Sequence, residues 1–169
     1  MDVSFFSSHY IVRHLNEQDI PEIYQICLPN DFFYRYCPPF VSCESIRQDM
    51  LALPPGKEMK DKHYIGYYNQ GQLIAVMDFI DGFPHEDTAF IGFFMLKKSL
   101  QKAGIGSSII NELCTYLEHL GYQAIRLGWV KGNPQAEHFW HKNHFVETGV
   151  TYETNGYTVI VAQRQLTSA

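Results

Sequence analysis

The stretch Gln101-Lys102-Ala103-Gly104-Ile105-Gly106 separates an apolar run from a long amphipathic pattern, and it decides the fold. The run before it, 89–96 (AFIGFFML), is almost wholly apolar, which predicts a strand buried on both faces. After it, apolar residues recur at helical spacing as far as Leu120, and Gly121 is placed to end that helix. A strand, a glycine-containing turn and a helix in succession are typical of an α/β domain.

The same turn predicts an anion-binding site. The N–H groups of a first helical turn have no partners inside the helix, and the helix dipole places roughly half a positive charge there. Because Gly104 and Gly106 lack Cβ atoms, a phosphate can approach their backbone closely. The stretch contains neither a P-loop nor the glycine pattern of dinucleotide-binding folds. We therefore predict a pyrophosphate site here, with a plain strand-to-helix turn as the alternative.

Composition limits the class of protein. A chain of 169 residues without a linker or repeat fits one domain, 1–169, and hydrophobic residues at 46% exclude a disordered chain. The formal charge of −5 argues against nucleic-acid binding, which requires a basic surface. The four cysteines lack a Cys-x-x-Cys spacing, which predicts reduced thiols. Because no segment resembles a signal peptide or reaches transmembrane length, we expect a cytoplasmic protein without membrane association.

Capping and turn residues predict the remaining elements. Helices are expected at 19–28 and 42–53, and a third begins at Pro134 with Asn133 as its cap. Two hairpins are expected, at Gln70-Gly71 and at Asn155-Gly156. Alternating apolar residues at 125–129 predict a strand between the long helix and the Pro134 helix. These elements fit a single mixed sheet.

Several motifs, in the expected order, resemble the GNAT superfamily of N-acetyltransferases. The Gln-x-x-Gly-x-Gly pattern at 101–106 resembles its acetyl-CoA-binding motif, and 133–136 (NPQA) and 139–145 (FWHKNHF) resemble its Asn-x-x-Ala and Phe-Tyr-x-Lys-x-Gly-Phe segments. The segments 11–13 and 64–76 resemble its first three strands. The resemblance implies one α/β domain with a central mixed, mostly antiparallel sheet of about six to seven strands, flanked by about four helices. It also implies transfer of an acetyl group from acetyl-CoA to a primary amine, by direct attack in a ternary complex.

The resemblance further implies which residues hold the cofactor. Backbone N–H groups of the turn would bind the pyrophosphate, and the preceding strand would pair with the pantetheine arm like an added strand. Asn133 matches a position whose side chain often reaches the pantetheine, with a pure helix cap as the alternative. The predicted cofactor-binding residues are Phe94, Met95, Leu96, Gln101, Lys102, Ala103, Gly104, Ile105, Gly106, Ser107, Asn133, Phe139 and Trp140.

The catalytic groups are where the chain departs from the family pattern. Trp140 stands where many relatives carry a Tyr whose hydroxyl faces the sulfur, and an indole cannot act as a general acid near neutral pH. Tyr152 or Tyr157 of the terminal hairpin is the expected substitute, and departure of the thiolate into water is the alternative. No carboxylate lies within 89–96, so Asp78 is the candidate general base, with a solvated surface position as the alternative.

The acceptor site is expected near a group of aromatic residues between the first two predicted helices. Asp31 or Glu44 beside such a wall would receive a cationic amine, although a loop that packs onto the core is the alternative. A small-molecule amine is the expected acceptor, with a protein amine as the alternative, and a homodimer is compatible with the resemblance. A CoA-binding sensor with little turnover is a rival interpretation based on Trp140. The aromatic group comprises Phe32, Phe33, Tyr34, Tyr36 and Phe40.

The spacing of three histidines suggests a metal site. His138, His141 and His144 are spaced by three, so the first two share a helix face. The predicted helix ends near Asn143, and no carboxylate or cysteine is placed by the sequence to complete a metal shell. We therefore expect no metal site, and a zinc-binding protein indifferent to CoA is the remaining alternative.

Overall fold

The computed structural model describes residues 1–166. Within them a seven-stranded sheet has the order β1-β2-β3-β4-β5-β7-β6. Every neighbouring pair is antiparallel except β4 and β5. The strands are β1 Ile11–His14, β2 Lys62–Asn69, β3 Gln72–Ile80, β4 Thr88–Leu96, β5 Ala124–Val130, β6 Val146–Thr154 and β7 Tyr157–Gln165.

Five helices cover the sheet in the described part of the chain. Asn133 caps its helix as the sequence predicts, accepting two hydrogen bonds from the first turn that follows it. Ser42, expected as the first helical residue, instead caps α3 and accepts a hydrogen bond from the backbone N–H of Ser45. Asp19 occupies the N-cap position of the first helix, but its side chain accepts from the backbone N–H of Asn16 and not from the helix. The helices are α1 Ile20–Cys27, α2 Asp31–Tyr36, α3 Cys43–Leu51, α4 Ile105–His119 and α5 Pro134–Lys142.

The helix α2 was missed by the sequence analysis, which treated its residues as a connection. Six residues are too few for a clear periodicity, and Asn30 at its start makes no capping bond with its side chain. Tyr34 is buried, so the helix is held by packing against the rest of the molecule. Tertiary contacts therefore stabilise a segment whose local signals are weak.

The sheet separates two apolar cores, because alternate residues of a strand face opposite sides. On one face Ile65 and Met77 pack with α4, and Trp140 of α5 joins them. On the other face Tyr64 and Val76 pack with α1 and α3. No helix within residues 1–166 is both long and apolar enough to cross a membrane. The predicted single α/β domain with a mixed, mostly antiparallel sheet is confirmed.

Candidate active site

Strands β4 and β5 form a V-shaped opening in the middle of the sheet. Their parallel pairing covers only Thr88–Ile91 of β4, opposite Ala124–Leu127 of β5. Beyond Ile91, β4 remains paired with β3 alone, while β5 continues beside β7. The predicted burial of β4 on both faces is therefore wrong at 92–94, where Gly92 is exposed and Phe93 and Phe94 are half-buried, whereas Met95 and Leu96 at the end of the strand are buried.

The open edge of β4 offers a short row of backbone groups. Lys97 donates its N–H to the carbonyl of Ile74 on β3 at 2.8 Å, so the alternating residues Phe94 and Leu96 direct their backbone groups towards the opening. Met95 pairs with Val76 of β3, and its side chain is buried. The edge that an extended ligand can join is therefore formed by Phe94 and Leu96, and the backbone of Met95 faces the other way.

The turn before α4 faces the same opening. Gly104 is the N-cap residue with φ +82°, a left-handed conformation that favours glycine, and no side chain caps the helix there. A Cβ atom on Gly104 would meet nothing within 4 Å, so the space in front of the first turn is open. The N–H groups of Ile105, Gly106 and Ser107 thus form an uncapped cradle for an anion. Lys102 and Ala103 of this turn are exposed.

Gly106 has a different role from Gly104. A Cβ atom on Gly106 would lie 3.1 Å from Cε2 of Phe139, which is tighter than a normal contact. The glycine therefore lets α4 and α5 approach each other beside the opening. A surface groove of about 650 Å³ runs along α4 from Gly104 past Ser107 and Asn111. This groove continues the cradle along the outer face of α4.

The Gln101 side chain is already engaged within the protein. Its Nε2 donates to Oδ1 of Asn30 at 2.7 Å and to the carbonyl of Leu96 at 2.9 Å. Its Oε1 accepts a hydrogen bond from Gln135 at 3.3 Å. Gln101 therefore ties the turn to the end of β4.

The side chains of Asn133 and Trp140 are both engaged in contacts that stabilise the fold. Oδ1 of Asn133 accepts from the backbone N–H groups of Gln135 and Ala136, and the residue is buried, so it caps α5. Trp140 is buried as well, with ring centroids 4.8 Å from Phe139 and 5.1 Å from Phe145. Phe139 also stacks on Phe94 at 6.1 Å. These residues shape the opening from the α5 side.

Both candidate tyrosines of the terminal hairpin lie on the other side of the opening. The hydroxyl of Tyr152 is 3.9 Å from the point where Gly128 of β5 would carry a Cβ atom. The hydroxyl of Tyr157 lies 3.5 Å from Sγ of Cys37, just after α2. Burial and the nearby Cys37 raise the pKa of Tyr152, and burial with the same thiol raises the pKa of Tyr157 to about 12. Both hydroxyls therefore stay protonated near neutral pH.

Asp78 is held in an ion pair rather than exposed to solvent. Lys62 Nζ lies 2.8 Å from each carboxylate oxygen, and the Lys62 side chain is only 1% exposed. Oδ1 is buried and receives no well-aligned hydrogen bond from residues 1–166. A Cβ atom on Gly92 would lie 2.7 Å from Oδ2, so the glycine at this β-bulge makes room for the carboxylate. Burial raises the pKa of Asp78, and Lys62 opposes that shift.

Asp49 of α3 is a residue that the sequence analysis missed. Asp49 is exposed as a residue, while its carboxyl group is partly surrounded by protein atoms. Burial raises its pKa to about 6, with a further contribution from Asp78, while Lys62 lowers it. Burial also raises the pKa of Cys37 beside the terminal hairpin, and the charge of Asp49 adds to that shift. The signal in the sequence is weak, since Asp49 lies in an otherwise ordinary amphipathic helix.

The two acidic residues suggested for the acceptor, Asp31 and Glu44, are both engaged in ion pairs. Asp31 pairs with Arg35 at 2.8 Å, and Glu44 pairs with Arg47 at 2.6 Å, all on the exposed surface. The aromatic group is divided: Phe33 packs edge-on against Phe93 at 5.8 Å, whereas Phe40 is exposed. Only part of that group therefore faces the acceptor side of the opening.

The three histidines do not converge on one point. In residues 1–166 the only group with metal-ligand spacing is Glu137, His141 and Glu147, which includes neither His138 nor His144. Its ligand atoms lie within 4.8 Å of one another, and Nε2 of His141 lies 3.7 Å from Oε1 of Glu147 with both side chains exposed, as in an ordinary surface cluster. The four cysteines are free, as predicted from their spacing.

Comparison with known proteins identifies the family. The sequence model of the acetyltransferase (GNAT) family matches residues 18–145. The chain therefore belongs to this family and is an acyltransferase of the N-acetyltransferase class, and the family generally uses acetyl-CoA. No curated protein matches the sequence significantly.

Solved structures share the fold at low identity. An acetyltransferase from Thermus thermophilus has a TM-score of 0.72 and 16% identity, covering 93% of this chain and 97% of its own. An enzyme from Salmonella typhimurium that modifies the N-terminal serine of ribosomal protein L7/L12 has a TM-score of 0.72 and 21% identity, with 96% and 98% covered. The ribosomal-protein-S18-alanine N-acetyltransferase from Escherichia coli has a TM-score of 0.65 and 16% identity, with 95% and 96% covered.

Proposed function

We propose that this chain, as one domain over 1–169, moves an acetyl group from acetyl-CoA to a primary amine by direct attack in a ternary complex. The observation that carries the proposal is the V-shaped opening between β4 and β5, with the uncapped turn at Gly104 at one end. The exposed edge at Phe94 and Leu96 suits an extended amide-containing arm, because such an arm can pair with it like an added strand.

The residues fit the cofactor at both of its ends. The N–H groups of Ile105, Gly106 and Ser107 would bind the pyrophosphate, and the groove along α4 offers room for the nucleotide. The edge groups of Phe94 and the N–H of Leu96 would align the pantetheine; the Leu96 carbonyl already accepts from Gln101. Bound acetyl-CoA supplies an activated acetyl thioester. With the thioester fixed in the opening, an amine can be brought to it in a defined geometry.

Acetyl transfer also requires one group that donates a proton and one that accepts a proton. The C–S bond breaks as the C–N bond forms, the amine nitrogen loses a proton and the leaving sulfur gains one. Tyr152, protonated and beside Gly128, is the proposed donor to the sulfur. Asp49, with a pKa of about 6, is the proposed acceptor of the amine proton through water. The charges of the buried Asp78–Lys62 pair act on its pKa, which Asp78 raises and Lys62 lowers.

This assignment favours turnover over a sensor role. Trp140 packs in the core among Phe94, Phe139 and Phe145, so its presence is explained by packing. The hydroxyl that the family places at this position is supplied here by Tyr152 on the opposite wall.

The acceptor is proposed to be a small-molecule amine that enters between α2, α3 and the β6–β7 hairpin. The aromatic pair Phe33 and Phe93 and the tyrosines Tyr152 and Tyr157 give this entrance an apolar wall with hydroxyl tips. A protein α-amine is the second candidate, since two structural neighbours are described as ribosomal-protein N-acetyltransferases. Parallel assays with small amines and with short peptides that begin with Ser or Ala would separate the two.

Thermal unfolding with and without acetyl-CoA tests the cofactor assignment. Ligand at about one hundred times its dissociation constant adds roughly 2.7 kcal/mol, a rise of roughly 5–10 °C for a domain of this size. We expect Gly104→Glu to abolish the rise, because a carboxylate would fill the cradle. Gly56→Glu is the matched control, since Gly56 has φ +79° and equally open surroundings but lies far along the chain from the turn. No rise in the wild type, or an equal loss in both variants, would contradict the proposal; zinc serves as a ligand control.

A further inference from the structure

The junction between α1 and α2 is fastened to the loop between β4 and α4. Lys98 Nζ donates to the carbonyl of Pro29 at 2.9 Å and lies 3.3 Å from Oδ1 of Asp31. These two contacts are on the exposed surface, where a single ion pair contributes little. They mark the place where an acceptor-side helix and the cofactor-side loop meet.

Beneath this surface lies a pair of amide side chains, the buried Asn30 and the half-buried Gln101. Asn30 is 6% exposed, and its Nδ2 donates to the carbonyl of Ile26 at 2.8 Å and more weakly to that of Leu96 at 3.4 Å. Its Oδ1 accepts from Gln101 at 2.7 Å, and Gln101 also donates to Leu96. We call this set the Asn30–Gln101 bridge. It joins the last turn of α1, the start of α2, the end of β4 and the turn before α4.

The bridge leaves Gln101 no free donor. Both hydrogens of its Nε2 are engaged, by Asn30 and by the Leu96 carbonyl, and its Oε1 accepts from Gln135. Release of Gln101 is costly because Oδ1 of the buried Asn30 would lose a hydrogen bond that water cannot readily replace. Gln101 therefore cannot bind a phosphate with its side chain while the bridge is intact.

The bridge lies between the two halves of the proposed site. On one side, Gln101 belongs to the turn that forms the anion cradle, and Leu96 belongs to the open edge of β4. On the other side, Asn30 begins α2, whose Phe33 packs on Phe93 at the acceptor entrance. Hydrogen bonds therefore connect the turn directly to Asn30 at the start of α2, so that the position of the turn can affect the position of this helix.

We propose that Asn30 and Gln101 are positioning residues that couple the cofactor turn to the acceptor wall: when the turn is ordered by its ligand, α2 is ordered with it. This inference rests on the proposed function, because it requires a ligand at the cradle. Coupling between two sites of this kind typically amounts to about 5- to 150-fold. The expected consequence is that the acceptor site is fully formed only when the cofactor is bound.

Amide hydrogen exchange with and without acetyl-CoA tests the coupling without any acceptor. In the wild type we expect the ligand to slow exchange in 105–110 and, by about fivefold or more, in α2 at 31–36. In Gln101→Met, of similar length but without the amide, protection at 105–110 remains and protection of α2 is lost. Gln135→Met is the matched control, since it removes only the outer 3.3 Å contact and leaves the bridge intact, so α2 stays protected. Asn30→Ala breaks the bridge from the other end and serves in place of Gln101→Met if that variant folds poorly.

The outcomes separate this inference from the function on which it rests. If acetyl-CoA does not slow amide exchange at 105–110 in the wild type, both the cofactor assignment and the coupling are contradicted. Protection at 105–110 with unchanged α2, or α2 protection that persists in both bridge variants, would overturn the coupling alone. Loss of acetyl-CoA binding in Gln101→Met would identify Gln101 as a ligand and also overturn it. Once an acceptor is found, the bridge variants should raise its KM by about fivefold or more while the cofactor Kd is unchanged.

Discussion

The two sides of the opening are built in different ways. The proposed cofactor side uses backbone groups: the N–H row after Gly104 and the free edge of β4 at Phe94 and Leu96. The proposed acceptor side uses side chains from distant elements, among them Asp49, Lys62, Asp78 and Tyr152. A backbone site depends mainly on chain conformation, whereas a side-chain site depends on each residue and its partners. Single substitutions should therefore act more strongly on the acceptor side.

The largest effect is expected at the buried ion pair of the acceptor side. In Lys62→Met, the Asp78 carboxylate loses its counter-charge in a buried position, and breaking such a pair costs about 3–5 kcal/mol. Urea unfolding measures this loss as a fall in the midpoint. Lys60→Met is the matched control, because its pair with Glu58 is exposed to solvent on both sides and such a pair contributes little to stability. Equal losses in the two variants would show that burial of the pair is not what matters.

A smaller but sharper effect is expected at the hairpin tyrosines. Tyr152→Phe removes the proposed proton donor, so kcat should fall about 100-fold while the Kd of acetyl-CoA stays the same. Tyr157→Phe loses only its contact with Cys37 and should change kcat much less. Thiol release with an acceptor found by the amine screen provides the measurement. The opposite ranking would move the donor role to Tyr157.

The smallest effect concerns Asp49 and depends on pH. Its folded pKa of about 6 lies above the ordinary value of 3.8, so the native state holds that proton more tightly than the unfolded chain. The wild type should therefore lose stability relative to Asp49→Asn as the pH rises from about 4 to about 6, with no further change above. Denaturant midpoints of both proteins at several pH values give the difference. A difference independent of pH would mean that the carboxyl has an ordinary pKa.

Much of the fold could be predicted from local patterns. The turn at 101–106, the cap at Asn133 and the hairpin at Asn155-Gly156 depend on residues close in sequence, and the structure has them in the expected places. Helix α2 was missed because its six residues carry no periodic signal. The partial exposure of 92–94 in β4 does not follow from the sequence, because hydrophobicity alone does not reveal that the neighbouring strand β5 diverges.

The candidate site likewise contains residues that local sequence patterns reveal and residues that they do not. Gly104 could be recognised from its place between a strand and a helix, because a left-handed turn with an open first helical turn is a local property. The partner of Asp78 could not, since Lys62 is sixteen residues away and meets it only through the β2–β3 register. The position of Asp49 beside them depends on how α3 packs across the sheet. No local pattern encodes such a meeting.

Short stretches of the chain specify the element order, the glycine turn and the family resemblance, because these follow from periodicity, capping and backbone freedom. The bond between Gln101 and Asn30, the core position of Trp140 and the contact of Tyr152 with Gly128 follow only from the folded arrangement. The physical reason is that directional contacts between distant side chains require the packing of whole elements, and a short window of sequence does not contain that packing.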